Sequence, residues 1–338
     1  PGAALRLLRE GGLGRLGPAV RRYFSDERLV RLFSFQALYA GVSPAQARAM
    51  FAVITYMDSI AGVYYADGGI RQIPRAMARA LEQAGVPIHY GAEVTALLRR
   101  SDGPVAGVAL ACGDRIAADA VVCTLDLPIA YQRLLPDLPM PRTLARGTYS
   151  PSAVVWHVGA GGLPAEGTAH HNIHFGHDWD GAFEALIGRG ELMPDPSRLV
   201  SVPSLHDSSL APDGHSTLYV LEPVPNLTGR IDWAREAGPL RERLLGFLDE
   251  QGYPTDIRAE NFVSPLDWQA HGMHQGTPFA LAHLFRQSGP FRPANVEARV
   301  PGLVFAGSGT TPGVGVPMVL VSGRLAAERV DRYAGGPR

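Results

Sequence analysis

The segment from Leu303 to Pro317 constrains this chain more than any other. Leu303-Val304-Phe305 has the makings of a short buried strand. Ala306 then leads into Gly307-Ser308-Gly309-Thr310-Thr311-Pro312-Gly313-Val314-Gly315-Val316-Pro317, and an amphipathic pattern runs from Met318 to Tyr333, with Pro317 near the first turn. A strand, a turn with four glycines and a helix in succession let backbone N–H groups approach a ligand where any Cβ would intervene. Pro317 suits the first helical turn, whose N–H groups have no helical partner in any case. The start of such a helix carries partial positive charge, so an anionic or electron-rich group is the natural guest. A glycine-rich turn taken alone can equally be no more than a tight turn.

Composition narrows the partners. Of 338 residues 46% are hydrophobic, enough for one large or two medium domains with a sizeable core. The formal net charge is −1 and the isoelectric point about 7.0, so nothing points to nucleic acid or another polyanion. All 31 basic residues are arginine, a bias that fits a G+C-rich coding sequence. Cys112 and Cys123 have neither metal nor redox spacing, which fits a reducing cytosol. The most apolar run, Ala49 to Ala66, is interrupted by Thr55, Asp58 and Ser59 and is short for a bilayer crossing. It reads as a buried helix lining a core or tunnel, with docking on a membrane surface as the alternative.

Along the chain, Pro1 to Gly17 reads as a broken helix, Ser25 to Phe35 as a capped one, and Ser43-Pro44 as the start of a third running toward Asp58. A helix begins at Pro74, with Ile73, Met77, Ala80 and Leu81 on one face, and Gly85 closes it. Strands are expected at Val86–Tyr90, Glu93–Leu98, Val105–Leu110 and Ala120–Thr124. Further strands are expected at 153–158, 171–175, 199–202, 218–221, 257–263 and 279–284, most of them forming an antiparallel sheet. Between them, Gly238 to Gln251 has the leucine spacing of an amphipathic helix.

Several constellations invite chemistry. His170, His171, His174 and His177 lie close together, but on a strand His170 and His174 face one way and the other two the opposite way. That splits the set, and no metal is expected. Ser204, His206 and Asp207 are neighbours without a G-x-S-x-G elbow, so a hydrolase triad is not supported. His271 and His274, beside Trp268, read as loop residues or pocket lining. Arg286 and Arg292 could pair with acids or touch cofactor phosphates. Asn226-Leu227-Thr228 matches a glycosylation sequon with nothing else pointing to secretion.

The Gly307–Pro317 wording resembles the carboxy-terminal flavin motif of the bacterial phytoene desaturases, FAD-dependent carotenoid oxidoreductases. Gln275-Gly276-Thr277-Pro278-Phe279, Gln287 to Pro293, Asp207 to Pro212, Thr217 to Asn226, Phe33 to Gln36 and Gly68-Gly69 also resemble that family, in family order. The resemblance implies an α/β (α+β) FAD/NAD(P)-binding flavoprotein fold of the amine-oxidase type with an inserted substrate domain. On that reading residues 1–65 are a helical, substrate- or membrane-facing part, 66–130 belong to the FAD domain, 131–289 form the substrate domain, and 290–338 complete the FAD domain. The family's amino-terminal G-x-G-x-x-G strand-to-helix turn has no counterpart, so the amino-terminal βαβ unit is expected to be missing and the chain to be a fragment.

By the same resemblance the cofactor is FAD. Gly307 and Ser308 would lie along its ribityl–pyrophosphate chain. Gly315, Val316 and Pro317 would stand at the helix end near the flavin ring, Val94 by the adenine and Thr124 near the cofactor. Thr124-Leu125-Asp126 replaces the family's usual Asn-Ala-Asp, a departure at that point. The implied reaction is desaturation of phytoene to neurosporene or lycopene, with oxygen or a quinone as electron acceptor. The protein would be cytoplasmic and peripheral to the membrane. No catalytic residue can be named from the sequence. Alternatives are another carotenoid oxidoreductase or isomerase, an amine oxidase, for which Tyr64-Tyr65 is too little, or a non-catalytic fragment unable to hold FAD alone.

Overall fold

The computed structural model describes residues 2–101 and 103–335. Ten strands are present among them: β1 (Val94–Arg99), β2 (Val105–Leu110), β3 (Arg115–Ala117), β4 (Val121–Cys123), β5 (Ser152–Gly161), β6 (His171–His174), β7 (Arg198–Ser201), β8 (His215–Val224), β9 (Asp256–Val263) and β10 (Leu303–Phe305). The chain divides into two compact units. One comprises Pro1–Thr55, His89–Ser150 and His271–Arg338; the other comprises Tyr56–Ile88 and Pro151–Ala270.

In the first unit, β1, β2 and β3 form an antiparallel meander. The parallel pair β4 and β10 is separate, with Leu303 opposite Val121 and Phe305 opposite Cys123. Both strands are apolar throughout, as a parallel pair covered by helices requires. The helix Leu127–Leu134 follows β4 and places Leu127, Ala130 and Tyr131 in one buried cluster with Leu303 and Phe305. Tyr131 donates its hydroxyl hydrogen to Glu297, which also takes Arg299 Nε at 2.8 Å, so this buried carboxylate is paired. Such pairing removes most of the penalty of holding a charge away from water. A smaller core gathers Leu16, Val20, Val30, Ala37 and Val42. Gly12, Gly14 and Gly17 fall at dinucleotide-motif spacing, yet turn residues rather than a strand precede them, and a Cβ on Gly17 would stand 3.4 Å from Pro44. Gly17 is a packing glycine.

The second unit is built on a five-stranded antiparallel sheet in the order β6-β7-β8-β5-β9. On β8, Ser216, Leu218, Val220 and Glu222 are all buried, the period of two that puts one face against a core. In register with them, Trp156 faces Val220 and Val158 faces Leu218. The helix Trp233–Glu250 contributes Leu240, Leu244 and Leu248, each fully buried and one turn apart. Each such leucine contributes about 1.5–3 kcal/mol by leaving water. Trp156 Nε1–H donates to Glu260 at 2.7 Å, and the Arg241 guanidinium lies 5.1 Å above its ring, so the largest core side chain has no idle polar atom.

Five expectations change. Ser43-Pro44 opens a turn rather than a helix running toward Asp58. The helix expected from Gly238 starts five residues earlier, because the buried Trp233 anchors an extra turn ahead of Pro239. Val86–Tyr90 forms no strand: no described segment pairs with it, and Val86 and Tyr90 are exposed. The stretch 279–284 is irregular, touching a strand-like partner only through Leu281 and Tyr149, because Ala280 adopts a left-handed φ of 56°. Ala49 to Ala66 is not a buried helix. It is a short helix, Ala52–Tyr56, and a wider turn, Met57–Ala61, with most side chains in solvent.

Candidate functional site

β4 and β10 run the same way and end together, and the N–H of Ala306 donates to the carbonyl of Cys123 at 3.0 Å. Beyond β4 the chain continues as Thr124-Leu125-Asp126, and beyond β10 as Gly307-Ser308. The carboxyl ends of parallel strands are where open α/β sheets gather ligands. Thr124, Gly307 and Ser308 are therefore brought together. The loop then leads to the helix Val316–Gly335, which takes in Val316 and Pro317 ahead of the expected Met318.

The four glycines of the loop separate into two kinds. A Cβ on Gly313 would stand 2.3 Å from His283 Cε1, and one on Gly309 would stand 3.1 Å from Leu127 Cγ. These two let the protein pack against itself. A Cβ on Gly307 would come no nearer than 3.9 Å to any described atom, and one on Gly315 no nearer than 4.0 Å. Gly307 and Gly315 border open space, and Gly315 has a φ of 113° that few other residues adopt. No described residue accepts the N–H groups of Gly313, Val314, Gly315 or Val316. Val316 and Pro317 are exposed at the helix start. An open cradle, free donors and a helix N-terminus fit a flavin nucleotide, whose phosphates and ring oxygens need such donors. Val94 stands elsewhere, at the head of β1 in the separate antiparallel sheet.

Three buried side chains that the sequence reading did not single out as one set fix this loop. Asn295 donates to Thr310 Oγ1 at 2.8 Å and to the carbonyl of Phe305 at 3.1 Å. Ser322, fully buried inside the following helix, accepts the N–H of Gly307 at 3.1 Å and meets Thr310 Oγ1 at 3.1 Å. Arg292 neither pairs with an acid among the described residues nor lies in solvent. It donates to four main-chain carbonyls: Ser308 at 2.6 Å, Thr310 at 3.1 Å, Leu281 at 3.2 Å and Gln287 at 3.3 Å. The only signal in the sequence was a polar residue at each of these places within apolar surroundings. Arg286 is exposed.

Beside β4, Asp126 accepts the N–H of His274 at 2.8 Å, while its other oxygen is buried without a partner. Burial pushes the Asp126 carboxyl pKa up. His274 meets the buried ring of Tyr149 edge-on at 4.7 Å. His283 is driven down to about 3 by burial, helped by the Arg292 charge, so its ring is neutral against Gly313.

The other constellations are occupied by local structure. His170 packs on Tyr65 and His206, His171 bonds Ser201 at 2.8 Å, and His174 bonds Tyr253 at 2.9 Å. No group of three potential metal ligands converges among the described residues. Ser204 accepts the N–H of Thr217, and Asp207 accepts those of Gly68 and Ser209, so neither is joined to His206 as a triad. Asn226 is buried and accepts both the N–H and the hydroxyl of Thr228.

Comparison with known proteins identifies the family. The family of flavin containing amine oxidoreductases matches residues 2–331. A phytoene dehydrogenase of Streptomyces griseus is 48% identical over 98% of this chain and 66% of its own length. A zeta-carotene-forming phytoene desaturase of Myxococcus xanthus is 38% identical over 95% of this chain and 62% of its own. The chain thus spans somewhat under two thirds of these relatives. The crystal structure of an oxidoreductase from Methanosarcina mazei shares the fold, with a TM-score of 0.64 and 18% identity over 96% of this chain and 71% of that one. The α/β flavoprotein fold and the FAD expected from the sequence stand on these likenesses. The chain belongs to the flavin-containing amine oxidoreductase family, and within it resembles the phytoene desaturases.

Proposed function

We propose that this chain carries part of an FAD-dependent carotenoid desaturase, with phytoene as substrate and neurosporene or lycopene as product. The observation that carries the reading is the open cradle of Gly307 and Gly315 at the carboxyl ends of β4 and β10, in a chain 48% identical to a phytoene dehydrogenase. When bound, FAD supplies the two-electron acceptor for removing two hydrogens from adjacent carbons, one as hydride and one as a proton. The chain's own contribution is binding and orientation. Gly307, Ser308 and Thr124 would hold the ribityl–pyrophosphate side. Gly315 and Val316 would present free N–H groups, and with Pro317 at the helix start the helix dipole, to the ring, where negative charge develops on reduction. Val94 would serve the adenine end. Oxygen or a membrane quinone would take the electrons onward.

The same reading places the protein in the cytoplasm at the membrane surface. No helix among the described residues is long and apolar enough to cross a membrane. Tyr56, Ile60, Val63 and Tyr64 are 57%, 71%, 76% and 87% exposed, a concentration of apolar and amphipathic side chains suited to lipid contact and to a lipid-borne substrate.

Expression in phytoene-accumulating bacteria, with any coding sequence upstream of Pro1 retained, tests the reaction. Coloured polyenes are the expected result. Unchanged phytoene from a flavin-loaded protein would move the substrate to another carotenoid, and a folded protein without flavin would end the flavoenzyme reading.

A further inference from the structure

Arg292 is 4% exposed and its guanidinium donates to carbonyls of three segments, Leu281, Gln287 and the pair Ser308 and Thr310. Its Nε lies 3.4 Å from where a Cβ on Gly313 would be. Two of its acceptors belong to the glycine loop, so its geometry sets where that loop's carbonyls point. Turning these carbonyls inward leaves the loop's N–H groups for a ligand. A clamp alone would not require a charge, since neutral amides satisfy carbonyls in the same way, as Asn295 does beside it. Yet a full positive charge is buried here with no carboxylate paired to it among the described residues. An isolated buried charge is costly unless a counter-charge arrives.

We propose that Arg292 is a positioning residue of the flavin site, fixing the glycine loop and supplying a buried positive charge that favours the reduced, anionic cofactor over the oxidised one. The inference rests on the flavoenzyme reading above. His283, the titratable neighbour of Arg292 at Gly313, is held neutral by burial, which leaves Arg292 as the charge at that point. Arginine suits the role because it keeps its proton in an apolar setting and its planar fork reaches several acceptors at once.

The test compares Arg292→Gln and Arg292→Lys in FAD-loaded protein, prepared with any upstream coding sequence, by flavin titration and by the flavin midpoint potential. Arg292→Gln should weaken the preference for reduced over oxidised flavin about tenfold, a fall of about 30 mV for a two-electron couple. Arg292→Lys should keep the potential but lose FAD affinity, since it retains the charge without the fork. A Gln variant that binds FAD at an unchanged potential overturns the inference and leaves the flavoenzyme reading intact. If the Gln variant does not fold, the unsubstituted protein decides. Its reduced flavin should remain the anion at a pH where free reduced flavin is already protonated, and a neutral reduced form there overturns the inference. A folded protein that takes up no flavin overturns both.

Discussion

Ser322 accepts the backbone N–H of Gly307 at 3.1 Å, from within the helix that follows the glycine loop. The bond ties the end of β10 directly to that helix. The loop between them, Ser308 to Gly315, is therefore pinned at its base and free along its rim. Thr310 and Asn295 complete the pin through Ser322 Oγ. A rigid base with open donors is the arrangement in which ordering is complete before a ligand arrives.

Ser322→Ala should expose the value of that base. It leaves the N–H of Gly307 without an acceptor in a half-buried position, at a cost of about 1 kcal/mol. Urea denaturation should show a lower midpoint with an unchanged slope, and FAD affinity should fall as the loop loosens. Unchanged stability would mean that water or a shifted Thr310 replaces the hydroxyl.

The two kinds of glycine make opposite predictions. Gly315→Glu should abolish FAD binding while costing less stability than a change at Gly313, because the side chain enters open space at the helix start, its φ of 113° alone opposes it, and it brings negative charge to a site suited to anions. Gly313→Ala should lower stability before it affects binding, because its Cβ falls on His283 at 2.3 Å and its φ is 139°. Flavin titration alongside thermal unfolding separates the two. Equal behaviour of both variants would sink the distinction.

What was legible in the sequence follows from which forces act locally. The strand, glycine turn and helix from Leu303 to Tyr333 could be read because each has a short-range pattern. The strand at 218–221, part of the longer β8, could be read for the same reason. Arg292, Asn295 and Ser322 could not be assembled, since their partners lie 5 to 27 residues away and polar residues leave no periodic trace. Val86–Tyr90 misled because β-branched and aromatic residues favour a pleat, yet a strand exists only where a partner accepts its hydrogen bonds. Ala49 to Ala66 misled in another way: an apolar run says that water is unfavourable, not what covers it. Within the candidate site, the sequence indicated Thr124, Gly307, Ser308 and the helix start, but not the clamp behind them.

His283 should give the fold an acid-sensitive step. Its pKa falls from 6.5 to about 3 in the fold because burial, then the Arg292 charge, disfavours the protonated ring. The unfolded chain binds that proton more readily, so the contribution is complete above pH 6.5 and is lost as pH falls toward 3. Stability measured by urea unfolding should decline over that window in the parent. In His283→Leu the decline should be shallower. Parallel profiles for the two would show that other groups dominate.

The exposed apolar segment offers a test independent of the cofactor. Ile60 and Tyr64 are 71% and 87% exposed, so neither contributes to a core, and Ile60→Asp with Tyr64→Ser should leave the unfolding midpoint and flavin content unchanged. Inserting such side chains into a lipid interface is worth about 1.5–3 kcal/mol each, so the double variant should bind vesicles at least roughly tenfold more weakly. Co-sedimentation with liposomes measures this directly. Retained binding would place the lipid contact elsewhere on the chain, whereas loss of binding with intact flavin would separate membrane docking from cofactor chemistry and assign it to the turn around Met57–Ala61.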